Sequence, residues 1–166
     1  EDGGMIMGTV GAFVVLESRE HAEARGAHIY AELSGVEGDR GKRDDGRFEQ
    51  RLGRLFKDAG FTGSGNEAIL SGATGLTEIT AREAAFVKEH FPSASLRGYT
   101  GVTGHAMEAN FTLGIALAAL ALDKKAVLPV FNAGAEQQMS APAEKIAVTT
   151  VGHQRGEGIA VLSAEK

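Results

Sequence analysis

The stretch that decides the fold lies past the middle of the chain and reads Tyr99-Thr100-Gly101-Val102-Thr103-Gly104-His105-Ala106-Met107-Glu108-Ala109-Asn110, followed by an almost wholly apolar run over Phe111–Leu122. A glycine turn that opens a long helix predicts that His105 lies at or near the helix N-terminus. Unpaired N–H groups and the positive dipole there favour a neutral imidazole, which can donate one N–H to a carbonyl oxygen. The alternative is a structural turn with a capping or core histidine.

The composition is that of a globular domain with many tight turns. The chain has 166 residues, of which 43% are hydrophobic, 23% are charged, 23 are glycine and only 3 are proline. This glycine content predicts close helix–strand contacts rather than disorder. A net charge of −5, with no basic run among aromatics, argues against a nucleic-acid surface. The absence of cysteine excludes disulfides, thiolate metal sites and a cysteine nucleophile within these residues.

No membrane span or secretory signal is predicted. The run over Leu113–Leu122 is too short to cross a bilayer and is expected to be a buried helix. The first residues, Glu1-Asp2-Gly3-Gly4, are acidic and unlike a signal peptide. We expect a cytoplasmic protein and, because no initiator methionine is present, a piece of a longer one. The helix is apolar around more than one face, which predicts self-association or coverage by the terminal segments.

The order of predicted elements is mixed α/β. Strands are predicted over Val10–Leu16, His28–Val36, Ala68–Ser71, Ser95–Tyr99, Val127–Phe131, Lys145–Val151 and Gly158–Leu162. Helices are predicted from a Ser18 cap to Arg25, over Phe48–Ala59, from a Thr77 or Thr80 cap to His90, and over Ala106–Leu122. A short connection between the last two strands predicts an antiparallel hairpin. The glycine-rich turns follow strands, where α/β folds place their sites.

His105 and His153 are the candidate catalytic histidines, because both lie in glycine-rich turns. The other three are expected to be structural or on the surface: His21, His28 and His90. No histidine pair has the spacing of a helical metal site, and no acidic cluster is typical of a cation loop. No glycine-rich turn matches a dinucleotide or phosphate-loop motif. We therefore expect neither a metal nor a cofactor.

The order of these motifs resembles the C-terminal half of β-ketoacyl-acyl-carrier-protein synthases over nearly the whole chain. Asp2–Glu17 is similar to the family's glycine-rich opening, apolar strand and Leu-Glu, and Ala22–Glu32 to its Ala-x-x-Arg-Gly-Ala pattern. Thr103-Gly104-His105 matches the family's Gly-His turn, and Leu128–Asn132 is similar to its Pro-Pro-Thr-x-Asn segment. The resemblance implies that residues 1–166 form the C-terminal domain of a thiolase-like α/β fold. It also implies a mixed sheet of about five strands with helices packed on it, one of them the buried apolar helix.

The sequence departs from the family pattern at three places where the family has functional residues, and our expectation about catalysis depends on these departures. The family's histidine in its His-Gly-Thr-x-Thr turn corresponds here to Ser71 or Gly72, and its lysine before the Gly-His turn corresponds to Thr100. The family's last glycine-rich turn keeps only Gly152 clearly, and His153 follows it as a possible substitute. Of the family residues expected in this half, His105 alone is retained. The nucleophilic cysteine belongs to the family's N-terminal half.

Three hypotheses remain open. The first is a catalytically degenerate homologue from fatty-acid or polyketide biosynthesis, similar to the chain-length-factor subunits that pair with an active synthase. The second is a working acyltransferase of this family, performing decarboxylative Claisen condensation with His105 and His153. The third is an unrelated α/β ligand-binding domain with purely structural glycine turns. The resemblance implies acyl carrier protein as a partner, and a homodimer or a heterodimer with an active synthase, without nucleic acid or membrane.

Overall fold

The architecture is a mixed β-sheet with helices on both faces, seen in a computed structural model that describes residues 4–165. The strands are β1 (Glu32–Asp39), β2 (Glu67–Ser71), β3 (Ser95–Gly98), β4 (Lys145–Val151) and β5 (Glu157–Ser163). The helices are α1 (Arg19–Ala24), α2 (Arg47–Asp58), α3 (Thr77–His90), α4 (Thr100–Thr103) and α5 (Ala109–Asp123). The strand order across the sheet is β1-β5-β4-β2-β3. The expected mixed sheet of about five strands is therefore confirmed.

Strand direction sets where the functional turns lie. Strand β2 runs parallel to both β3 and β4, and Ser71 at its end is in register with Gly98 and Thr149. Strands β4 and β5 form the predicted antiparallel hairpin, and β5 pairs with β1. Because parallel strands end at the same edge of a sheet, the turns after β2, β3 and β4 all begin at one edge.

Alternating side chains divide the core into two clusters, one on each face of the sheet. On one face, Ile69 and Ala147 pack with α2 and α3. On the other face, the next residues along the two strands, Leu70 and Val148, pack with α5. Burial on both faces explains why these strands have nearly continuous apolar sequences.

Several helix boundaries agree with the sequence prediction. Ser18 Oγ accepts a hydrogen bond from the His21 N–H at the start of α1. Helix α2 ends just before Gly60, whose φ of +78° is the left-handed conformation that glycine favours after a helix. The predicted threonine cap of α3 is wrong, because Leu76 occupies the N-cap position and makes no side-chain cap hydrogen bond.

The strand predicted over Val10–Leu16 is wrong. Within residues 4–165 this segment pairs with no strand, and Phe13, Val15 and Leu16 are exposed. Only Val10 and Ala12 pack against the cluster around α5. Apolar β-branched residues favour an extended chain, but a strand also needs a neighbour with free backbone groups.

The strand predicted over Val127–Phe131 is also wrong. Pro129 has no N–H to donate to a ladder, and the Leu128 carbonyl accepts hydrogen bonds from the Arg97 guanidinium instead. Strand β1 begins later than the predicted His28–Val36 and contains a register shift between Leu33 and Gly35.

Helix α5 begins at Ala109 rather than at the predicted Ala106, so His105 lies four residues before it. The intervening turn includes Met107 with a positive φ of 50°. One face of α5 is buried against the sheet, whereas Leu120 is 46% exposed. None of the helices within residues 4–165 combines the length and apolar character needed to cross a membrane.

Candidate functional site

Backbone and side-chain hydrogen bonds join the turns at the carboxyl edge of the sheet. The Gly72 N–H donates to the Thr149 carbonyl at 3.0 Å, which ties the end of β2 to β4. Thr100 Oγ1 donates to the Ala73 carbonyl at 2.8 Å, which ties the start of α4 to the turn after β2. The predicted positions Gly72 and Thr100 are therefore brought to one place in the fold.

A buried carboxyl group that the sequence analysis missed lies under this edge. Glu83 of α3 is 1% exposed, and it accepts hydrogen bonds from Ser71 Oγ at 2.7 Å and Thr149 Oγ1 at 2.5 Å. Burial raises the pKa of Glu83, and the hydroxyls of Thr149 and Ser71 partly oppose that rise. Because the Ser71 hydroxyl donates to this buried carboxyl group, its hydrogen is used in a hydrogen bond inside the protein. The sequence carried a signal for Glu83, since it shares the helical spacing of the buried Ile79 and Phe86.

Gly72 has no space for any side chain. A Cβ atom there would lie 2.5 Å from Tyr99 Oη, 2.7 Å from the Thr149 carbonyl oxygen and 2.9 Å from Asn110 Nδ2. Such distances are far below ordinary van der Waals contact. An imidazole at this position would require the surrounding turns to move apart.

Asn110 and Tyr99 connect the turn after β2 with the turn that carries His105. Asn110, 1% exposed, donates through Nδ2 to the Gly72 carbonyl at 3.2 Å and to Tyr99 Oη at 3.3 Å. Its Oδ1 accepts from the Ala106 N–H at 3.3 Å, and Tyr99 Oη donates to the Asn110 carbonyl at 2.8 Å. The sequence held a signal for the buried position of Asn110, because it is a single amide side chain within an otherwise apolar helix. These bonds fix the backbone next to His105.

The backbone of His105 is fixed by the N-terminal segment. Its N–H donates to the Ile6 carbonyl at 2.8 Å, and its carbonyl accepts from the Gly8 N–H at 3.1 Å. Gly8 and Gly104 pack so closely that a Cβ on Gly104 would lie 2.6 Å from the Gly8 backbone. The glycines of the family-like opening therefore allow this close approach.

The ring of His105 is held as a neutral hydrogen-bond donor. Its Nδ1 lies 3.2 Å from the Met107 backbone nitrogen and accepts that N–H, which assigns the ring proton to Nε2. Burial lowers the pKa of His105. The predicted direction is confirmed, with loss of hydration as its cause. The predicted position immediately before the first residue of the helix is wrong, because α5 begins at Ala109.

His153 lies in the connection between β4 and β5, and its side chain is exposed. The carbonyls of Gly152 and His153 accept hydrogen bonds from the Arg43 guanidinium, at 2.6 and 3.3 Å. Arg43 and Arg51 both pair with the buried carboxylate of Glu157, each at 2.8 Å. The turn is thus anchored through its backbone, and the His153 ring forms no hydrogen bond or ion pair with residues 4–165.

The arrangement offers one neutral imidazole N–H near the edge where the hydroxyl groups of Ser71, Thr100 and Thr149 already donate hydrogen bonds inside the protein. One such donor can orient or polarise a carbonyl group. In the described part of the chain, no group of three or more His, Asp or Glu could hold a metal ion.

Sequence comparison shows that the chain belongs to the β-ketoacyl synthase family. No family model matches it. It is 30% identical over 139 residues to the "Putative polyketide beta-ketoacyl synthase 1" of Streptomyces virginiae, a match that covers 78% of this chain and 33% of that protein. The chain thus spans about a third of the length of the curated relatives it matches.

Solved ketosynthase structures have the same fold as this chain. A chain from a type II PKS acyl-carrier protein in complex with its ketosynthase superposes with a TM-score of 0.74 at 20% identity, covering 98% of this chain and 48% of that one. The ishigamide ketosynthase/chain length factor superposes with a TM-score of 0.72 at 20% identity, covering 90% and 42%. At these identities the superpositions establish the fold alone.

Proposed function

We propose that this chain, a ketosynthase-like protein of the thiolase-like fold, is the C-terminal half of a catalytically degenerate, chain-length-factor-like subunit in polyketide biosynthesis. The observation that carries the proposal is the crowding around Gly72, which leaves no room for a side chain where the resemblance places a catalytic histidine. The neighbouring Ser71 supplies a hydroxyl that is bonded to Glu83.

The state of Thr100 supports the same conclusion. The resemblance places a lysine ammonium there, whereas the Thr100 hydroxyl donates to the Ala73 carbonyl inside the protein. Removing one donor to a developing oxyanion typically costs about 3–4 kcal/mol, or roughly a hundredfold to a thousandfold in rate. Loss of both an imidazole and an ammonium leaves His105 as the one retained family donor.

The proposed partners follow from the same resemblance. A degenerate subunit needs an active synthase to supply the nucleophile, so we propose a dimer, with such a synthase or with a second copy. The solved relative that contains an acyl-carrier protein supports that carrier as a further partner. A role in fatty-acid biosynthesis is the less favoured assignment, because the curated relatives are named for polyketides.

A working synthase with a rearranged site is the second candidate. Two observations favour it: His105 carries a neutral ring with its proton on Nε2, and the turn with the exposed His153 follows a strand that ends at the same sheet edge. The third hypothesis, an unrelated ligand-binding domain, is disfavoured by the ketosynthase-like fold and relatives.

Co-expression tests the proposal. A protein carrying this chain is co-expressed with a tagged, active polyketide ketosynthase, and each is assayed with malonyl- and acyl-acyl-carrier protein. We expect co-purification, and ketoacyl product only when the active synthase is present. Product formed by the protein carrying this chain alone would contradict degeneracy and favour the second candidate.

A further inference from the structure

A cavity of about 200 Å³ lies beside β3 and α4, and neither Ser71 nor Glu83 lines it. Its walls are mostly apolar and include Leu70, Val102, Leu117, Leu128 and Phe131. Engineered cavities of about 150 Å³ hold a benzene ring, so this one has room for a small ring or a short alkyl chain.

Arg97 provides the one charged side chain in the cavity wall within residues 4–165. It is 4% exposed, and its Nε and Nη2 both donate to the Leu128 carbonyl at 3.1 Å, while Nη1 donates to the Leu96 carbonyl at 2.6 Å. These acceptors are neutral, and Arg97 forms no ion pair in the described part of the chain.

The charge of Arg97 is therefore buried without a counterion in contact. A guanidinium has five N–H groups, and the three hydrogen bonds leave two of them without an acceptor in residues 4–165. Burial lowers the pKa of Arg97, in keeping with the high free-energy cost of an unpaired internal charge. An anion bound in the cavity would offset this cost.

Glu136 limits how much negative charge the cavity can take. It is near enough to act electrostatically on Arg97, but its carboxylate accepts hydrogen bonds from the Gly98 N–H at 2.8 Å and the Phe131 N–H at 2.7 Å. It thus holds the loop that forms the cavity wall. One arginine with an acidic neighbour favours a singly charged carboxylate over a doubly charged phosphate.

We propose that this cavity binds a small monocarboxylate, with the carboxylate on Arg97 and an apolar body against Leu117 and Phe131. Two free N–H groups on a planar guanidinium suit a carboxylate. The site goes beyond the proposed function, because it requires no condensation chemistry and would exist in an active or a degenerate subunit.

Calorimetric titration of the full chain with hexanoate, hexan-1-ol and hexyl phosphate tests the proposal. The three probes share an apolar body and differ in the head group. We expect hexanoate to bind at least about tenfold more tightly than hexan-1-ol, the usual size of a charged hydrogen-bond contribution, and more tightly than hexyl phosphate. Equal binding of acid and alcohol, tighter binding of the phosphate, or no hexanoate binding would overturn the proposal.

Two variants separate the head-group contact from the apolar contact. Arg97→Gln should abolish the preference for hexanoate over hexan-1-ol while keeping an amide donor for the Leu128 carbonyl. Phe131→Ser, at a side chain 62% exposed and so of little risk to the fold, should weaken both ligands by a similar factor. Arg54→Gln, at an exposed arginine, is the matched control and should change neither.

The proposal remains testable if Arg97→Gln does not fold. Hexanoate should then perturb the methyl NMR signals of Val102 and Leu117 in the unmodified chain. Perturbation of other methyl groups only, or hexanoate affinity unchanged by Phe131→Ser, would place binding elsewhere and refute the site.

Discussion

At the scale of single residues, side chains that the sequence makes inconspicuous hold the candidate site together. His105 and His153 could be found from the sequence because glycines surround them. Glu83 and Asn110 interrupt apolar helix faces, a signal that periodicity could have revealed. Arg97 could not be found, because its burial depends on the Leu128 carbonyl, more than thirty residues away.

The protonation of Glu83 gives a prediction about stability. Its pKa is raised in the folded protein, so above about pH 4.5 the unfolded chain loses this proton more readily, and stability falls as pH rises towards the folded pKa. Glu83→Gln keeps the shape and removes that titration. Relative to the variant, the unmodified protein should lose stability between pH 5 and pH 8 in urea unfolding.

The matched control for this measurement is Glu89→Gln, at an exposed position on the same helix. It should follow the unmodified protein at both pH values. A stability difference between the unmodified protein and Glu83→Gln that is the same at pH 5 and pH 8 would show that burial does not raise the Glu83 pKa.

The His105 ring gives a second prediction at this scale. Because burial disfavours the imidazolium, its NMR titration should have a midpoint below the ordinary value of 6.5. Asn110→Ala, which removes the amide contacts to Gly72 and Ala106, should loosen the turn and move the midpoint towards 6.5. A midpoint at or above 6.5 in the unmodified chain would be inconsistent with a neutral donor.

At the scale of elements, the sequence predicted helices and strands correctly where the spacing of apolar residues within one segment is enough to define the element. It failed where a strand forms only if another strand pairs with it. Helix α2 and the hairpin of β4 and β5 follow from apolar spacing and a short connection. The segments Val10–Leu16 and Val127–Phe131 have strand-like composition, but neither has a hydrogen-bonded neighbour in residues 4–165. A short stretch of sequence shows which side chains favour a strand, but it does not show whether another strand is in place to pair with it.

The close packing of the turn after β2 predicts the outcome of a pair of glycine substitutions. Gly72→Ala would place a methyl group against Tyr99 Oη and the Thr149 carbonyl, so it should destabilise the protein by about 1–3 kcal/mol, as overpacking usually does. Gly101→Ala, with nothing within 4 Å of its added Cβ, should be neutral or slightly stabilising in α4. Thermal unfolding compares them, and equal midpoints would refute the proposed crowding.

At the scale of the whole molecule, the described residues leave apolar side chains in water. Phe13 is 97% exposed, Val15 82% and Leu16 68%, and Leu120 on α5 is 46% exposed. From residue 4 onwards, the N-terminal segment packs on the cluster around α5 through Val10 and Ala12 alone. Contiguous exposure of this kind marks an interface or an aggregation liability.

Self-association of the isolated chain is the prediction at this scale. Sedimentation at micromolar concentration should show dimers or larger species, and the double variant Phe13→Ser with Val15→Ser should shift the population towards monomer. The control Val36→Ser changes an exposed apolar residue on β1 instead and should have a smaller effect. A monomeric unmodified chain would show that the exposed segment is stable in water.

The central claim, catalytic degeneracy, is tested most directly by the rate of ketoacyl product formation in a complex with an active synthase. His105→Gln in this chain removes the retained family donor, and His21→Gln, at an exposed histidine of α1, is the control. Degeneracy predicts that both complexes make product at the rate of the unmodified one. A loss of product with His105→Gln that His21→Gln does not cause would show that His105 of this chain takes part in catalysis and would contradict the claim.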